Sequence, residues 1–238
     1  MSQRRDLLRF IATLGAAGVS GYLQDALAAG DLPPGLHRLE GSATINGKPA
    51  KSGAAVSLGD RISTGPNSQA VVVQKGDAFL MRADTVIEIK GRDGVLTDLL
   101  ISTGRVLSVF AKKPVTVKAA VATIGIRGTG AYLEVEKDSV YFCLCYGEAV
   151  IEGPAMAPKT VKTTHHEQPL VLTTATPAMA AQPGPFRNHS DDELIMLEAL
   201  VGREPPFMKD GQYPAKKYLS RAPRGAPGRA RGRVPEGR

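Results

Sequence analysis

Two cysteines one residue apart, and three histidines that follow them, hold most of the metal-ligating and redox chemistry open to this chain of 238 residues. Cys143 and Cys145 are its whole cysteine content, and His165, His166 and His189 are three of its four histidines. Thiolate and imidazole together suit zinc, copper or iron, so these five residues form a candidate soft-ligand site. Haem is a further cofactor that such a set could hold. The competing chemistry is a disulfide, but residues two apart on a regular strand lie about 6.6 Å apart at Cα with side chains roughly parallel. A bridge there requires the strand to buckle. The two thiols therefore bind one ion, form a distorted bridge or stay free. His165 and His166 are adjacent, so at most one shares a strand face with the thiols unless the backbone turns there.

A second candidate is Arg127, set between Gly125 and Gly128-Thr129-Gly130. The glycines let the backbone approach neighbouring strands, and a guanidinium there donates several fixed hydrogen bonds. Two roles are open for the Arg127, Gly128, Thr129, Gly130 turn: an internal clamp on turn carbonyls or a buried carboxylate, or a contact for an anion or partner. Catalytic spacing is missing elsewhere. Asp60, Asp77, Asp84 and Glu88 sit at turns or on alternating strands where solvated or capping roles explain them, and there is no G-x-S-x-G elbow. The expectation is a protein that is not an enzyme.

The elements that position these residues are short strands. After Gly130, Tyr132, Glu134 and Glu136 alternate with Ala131, Leu133 and Val135, the two-residue period of a sheet. Lys137-Asp138-Ser139 reads as a hairpin turn. The returning strand puts Tyr141, Cys143 and Cys145 on one face and Phe142, Leu144 and Tyr146 on the other. Upstream, A-A-V-S-L-G-D, R-I-S-T-G, Q-A-V-V-V-Q-K-G-D, T-V-I-E-I-K and similar runs are separated by glycine turns. The fold class expected is mainly β, an antiparallel β-sandwich or β-roll of short strands with one C-terminal helix. That helix begins after Asn188 or Ser190, carries Asp191, Asp192 and Glu193 in its first turn, and ends near Gly202. Its Leu194, Met196, Leu197, Leu200 and Val201 read as core contacts. Between the second strand and Lys159 the sequence predicts a polar, proline-containing loop.

The run from Gly41 to Glu152 resembles the FecR domain, a β-rich extracytoplasmic module. The matching features are the glycines at Gly41 and Gly47, L-G-D-R-I-S-T-G-x-N-S from Leu58 to Ser68, and the V-V-V-Q-K-G-D run. G-R-V at Gly104 to Val106 and T-x-G-I-R-G-T-G from Thr123 to Gly130 complete them. The resemblance implies a FecR-like β domain that senses or binds a partner in the cell envelope. It also favours the structural role for Arg127, because R-G-T-G is a general signature of that family. Only an export-like segment precedes the module, so the family's sigma-factor regulation is not expected here.

The ends of the chain bear on location. Arg4-Arg5, a mildly apolar stretch and Ala26-Leu27-Ala28 resemble a twin-arginine signal peptide over residues 1–29. Residues 36–175 form the expected FecR-like domain, 176–218 a helical C-terminal extension, and 219–238 a disordered tail rich in Arg, Gly and Pro. The net charge of +7 is concentrated in that tail, where Arg221, Arg224, Arg229, Arg231, Arg233 and Arg238 face only Glu236. The module itself is nearly neutral, which excludes a broad nucleic-acid face. The basic tail suits peripheral contact with an anionic envelope surface. The function expected is a non-enzymatic, exported, periplasmic sensing or partner-binding module with an envelope protein as partner. The alternative is a metal- or haem-binding accessory protein built on the C-x-C pair and its histidines.

Overall fold

The computed structural model describes residues 32–154, 156–174 and 180–209, so the signal-like segment, the stretch from 210 to 218 and the basic tail lie outside the described residues. In chain order the strands are β1 Gly35–Glu40, β2 Ala43–Ile45, β3 Lys48–Ala50, β4 Arg61–Thr64, β5 Gln69–Gln74, β6 Asp77–Met81, β7 Val86–Arg92 and β8 Val95–Val109. They continue as β9 Pro114–Ala119, β10 Ala122–Arg127, β11 Gly130–Val135, β12 Ser139–Gly153, β13 Met156–Thr163, β14 Leu170–Thr173 and β15 Ala181–Pro183. Two helices follow, α1 Asp191–Leu200 and the single turn α2 Pro206–Lys209. Among the described residues, no helix is long and apolar enough to cross a membrane.

The strands form two layers that share β8 and β12. Sheet I runs β1-β5-β6-β8-β11-β12-β14-β15, and sheet II runs β3-β2-β4-β7-β8-β9-β10-β12-β13. The shared strands are each 15 residues long. Their switches between sheets fall at Gly104 and Gly147, both left-handed with φ of 96° and 100°. At Gly147 a Cβ would also sit 2.7 Å from Thr129 Cγ2, so the corner needs glycine on two counts. All pairings are antiparallel except β8 with β9, which is parallel; the expected all-antiparallel sheet is corrected at that one pair.

The alternation in the sequence divides sheet I between two cores. Val72, Phe79, Val106, Leu133, Phe142 and Leu144 point between the sheets, where they meet Ile62, Ile87, Leu99, Ile124 and Ile151 of sheet II. The other face of sheet I carries Val71, Leu80, Leu107, Val109, Tyr132 and Tyr141, and it is covered by Leu194, Leu197 and Leu200 of α1 and by Phe207 of α2. The helix starts where the sequence places it: Ser190 is the N-cap and forms a capping box with Glu193. β15 pairs with β14, and α1 shares a core with sheet I, so the described residues 180–209 pack as part of the same fold.

Three local expectations are corrected. A-A-V-S-L-G-D is not a strand, because Asp60 closes a turn by accepting the Ser57 N–H at 2.7 Å and Gly59 has φ of 98°. The segment after Gly153 is a strand rather than a loop to Lys159, since β13 pairs with β12 as an exposed edge and its outward residues are polar. Arg127, expected within the glycine turn, is instead the last residue of strand β10, which is paired on both sides.

Candidate functional site

The cysteines occupy the covered outer face of sheet I. Opposite them Gly130 pairs with Tyr146 and Ala131 with Leu144, so Cys145 is an extra residue in a β-bulge. The bulge brings Tyr146 round to the cysteine side, contrary to the regular-strand reading that put it opposite. It also gathers two thiols that an unbroken strand would hold apart. Both are free and fully buried.

The histidines arrive from the segment that covers this face. After β13 the chain bends, the Glu167 carboxylate accepting the backbone N–H groups of Thr164 at 2.9 Å and His165 at 3.0 Å. His166 then takes a φ of 60°, and its own N–H donates to the Cys145 carbonyl at 3.0 Å. This turn lets two adjacent histidines bury on the same side. His189 stands directly before the N-cap of α1.

Cys143, Cys145, His166 and His189 bring one sulfur or nitrogen each into a group whose atoms all lie within 4.8 Å of one another. His166 Nδ1 is 3.5 Å from Cys143 Sγ and 3.2 Å from His189 Nε2. Tetrahedral zinc with ordinary Zn–S and Zn–N bonds needs ligand atoms about 3.3–3.8 Å apart. His165 is not in this set. Its Nε2 lies 2.8 Å from Asp191 Oδ1, the same oxygen that lies 3.1 Å from His166 Nε2. Asp191, read from sequence only as a favourable helix-start acid, is therefore the carboxylate behind the histidines.

These partners assign the protons. A carboxylate only accepts, so His166 carries its hydrogen on Nε2 toward Asp191. A carbonyl likewise only accepts, so His189 carries its hydrogen on Nδ1 toward the Arg187 oxygen at 2.7 Å. In their neutral forms both rings then present lone pairs to one another across 3.2 Å. Only a cation, proton or metal, satisfies that arrangement. The electrostatics point the same way. Burial works to raise the Cys143 thiol, but hydrogen bonds from Cys145, His166 and His189 outweigh it and hold its pKa well below the ordinary cysteine value. Burial and the neighbouring Cys143 push Cys145 well above it. Asp191 is lowered, since hydrogen bonds from His165 and His166 overcome burial, and His166 is raised against burial by Asp191 and Cys143.

An aromatic wall encloses the group. Tyr132 stacks on His189 at 4.5 Å, Phe186 lies edge-on to His166 at 4.6 Å, and Phe207 stacks on His165 at 4.5 Å. Neither Phe186 nor Phe207 was anticipated at the site. Phe207 follows Pro205-Pro206 and has no period or motif to mark it.

Arg127 lies elsewhere, and its expected role as an internal clamp is corrected. It ends β10 beside buried Ile126, so strand alternation turns it to solvent, and its side chain has no hydrogen bond or ion pair among the described residues. The rest of its turn is structural in position. Thr129 is fully buried with its carbonyl accepting the Phe110 N–H at 2.9 Å, Gly128 has φ of 64°, and a Cβ on Gly130 would come 2.5 Å from the Tyr146 ring.

Fold and site together define a two-layer β protein with a buried Cys-Cys-His-His group held under a C-terminal helix. No family model matches the chain, and no curated protein matches it. Among solved structures it is similar to two crystal structures, at 1.65 Å and 2.50 Å resolution, of a candidate anti-sigma factor from Parabacteroides distasonis ATCC 8503. They are 12% and 13% identical to it, each alignment covers 59% of this chain and 74% of that one, and the TM-score is 0.44 in both. At that score the likeness carries nothing about family or activity.

Proposed function

We propose that this chain is a non-enzymatic, exported metal-binding module that holds one thiophilic ion of the zinc class through Cys143, Cys145, His166 and His189. The observation that carries this reading is the pair of imidazole lone pairs facing across 3.2 Å beside a thiol whose pKa is held down. The second-sphere hydrogen bonds to Asp191 and the Arg187 carbonyl fit a metal site, because ligating histidines ordinarily donate their other N–H in this way. Each of the four side chains belongs to a residue at most 2% exposed, which favours a closed site without an open position for substrate. Ligand atoms 3.2–3.5 Å apart leave no plane for a porphyrin, which favours a bare ion over haem.

The FecR-like motifs and the twin-arginine-like start add the setting: an envelope module that senses or binds a partner, with the ion as part of its fold. A mature N-terminus near Ala29, read by N-terminal sequencing of an envelope fraction, tests the export proposal. The metal reading is tested by titrating metal-free protein with cobalt(II). A tetrahedral visible spectrum with thiolate charge-transfer bands, displaced by zinc and missing in the Cys143→Ser, Cys145→Ser double variant, is the expected outcome. A featureless titration contradicts it.

A further inference from the structure

Resting on that reading, we propose that the ion is a latch: its occupancy controls the docking of the C-terminal strap, Pro185 to Met208, on the outer face of sheet I. The four ligands come from different bodies. Cys143 and Cys145 belong to β12, His166 to the bend after β13, and His189 to the strap one residue before the N-cap of α1. The first residue of α1, Asp191, is tied to the same centre through His166 at 3.1 Å. The start of the helix therefore hangs from the ion twice.

A ligand shifts a conformational equilibrium only by its differential affinity for the two states. Here that difference is built in. The docked strap offers two sulfurs and two imidazoles, whereas the undocked one offers the cysteines and His166 alone. Without a metal ion the docked state sets His166 Nδ1 against His189 Nε2 where water is shut out, so the two rings must share a proton there, whereas undocking lets water hydrate them separately.

Other fastenings hold the far end of the strap without the ion: buried Glu198 accepts from the Tyr146 hydroxyl and pairs with Arg203, while Leu197, Leu200 and Phe207 pack on the sheet. The ion therefore acts chiefly on the start of α1. The Arg82–Glu193 pair at 2.7 Å and the Arg187–Glu134 pair at 2.7 Å flank the start of α1 at part-exposed positions, where ion pairs contribute little. α1 is a ten-residue helix, too short to persist unsupported, so loosening its first turn weakens the turns that follow. Its release would uncover an apolar face that includes Val71, Leu80, Leu107, Val109 and Tyr132.

Hydrogen exchange on the full chain, with zinc chloride or with chelator, reads this directly. With free zinc about a hundredfold above its Kd, amides of residues 191–200 should exchange more slowly than in stripped protein, by up to about 100-fold, the limit set by an undocked chain that holds no zinc. Strands β4 and β7 of sheet II, far from the strap in the topology, should be unchanged and serve as the reference. Stoichiometric zinc with no change at 191–200 overturns the latch and leaves the metal site standing. No bound zinc overturns both. In His189→Gln, which removes the strap's ligand and leaves the sheet intact, zinc should no longer slow exchange in α1; undiminished zinc-dependent protection contradicts the proposal.

Discussion

Sheet I and sheet II are built from the same kind of strand, yet they treat their second faces differently. On sheet II the residues that alternate with Ile124, Ile126, Ala149 and Ile151 include Thr123, Arg127, Glu148 and Glu152, which face solvent, Glu148 pairing with Lys162 at the surface. On sheet I the alternate residues include Tyr132, Cys143 and Cys145, sealed beneath α1 and its flanking loops. Their polar atoms have only protein partners. The Tyr132 hydroxyl donates to Glu134 at 2.9 Å and the Tyr141 hydroxyl to the Pro185 carbonyl at 2.8 Å, while the thiols meet the histidines. A covered sheet face thus forces polar groups into mutual arrangements, and those arrangements carry the chemistry. An open face leaves its charges to solvent.

The largest test of this contrast is a truncation on each face. Leu80→Ala, beneath the helix, should cost about 3 kcal/mol in denaturant unfolding, because it leaves a cavity in a sealed core. Val150→Ala on sheet II, 37% exposed, should cost under about 0.5 kcal/mol. Similar losses at the two positions would erase the distinction between the faces.

A smaller effect is expected behind the metal ligands. Asp191→Ala keeps both thiols and both ligating imidazoles but frees the tautomer of His166. Affinity for zinc, measured by competition with a chromophoric chelator, should fall about 10- to 100-fold. Unchanged affinity would reduce Asp191 to a helix-start residue. The smallest effect belongs to Arg127→Ala, which should alter unfolding by no more than about 0.5 kcal/mol and leave zinc affinity untouched. A loss of several times that size would restore the internal clamp.

Much of the fold is legible in the sequence because period-two runs such as T-V-I-E-I-K and the hairpin around Lys137-Asp138-Ser139 are strong local signals. The helix is equally plain, with Ser190 and Glu193 spaced for a capping box. β13 is hidden because an edge strand shows solvent-facing Lys159 and Lys162 and reads like a loop. At Arg127 two signals in the sequence conflict: alternation with Ile124 and Ile126 turns it outward, while the flanking glycines suggest close packing. At the site, residue types single out the cysteines and histidines, whereas the geometry that joins them does not follow from types. It depends on a bulge at Cys145 and on a left-handed backbone at His166, both set by distant pairing. Asp191 escapes for a related reason, since acids in a first helical turn have an ordinary explanation in the helix dipole.

The most direct measurement is elemental analysis of full-length protein purified without added metal, paired with intact mass under denaturing, non-reducing conditions. The expected result is close to one zinc-class ion per chain and a mass with both thiols reduced, the ion being lost in the Cys143→Ser, Cys145→Ser double variant. A metal-free chain lighter by the two hydrogens of a disulfide would contradict the account, because the bulge would then serve a bridge between Cys143 and Cys145.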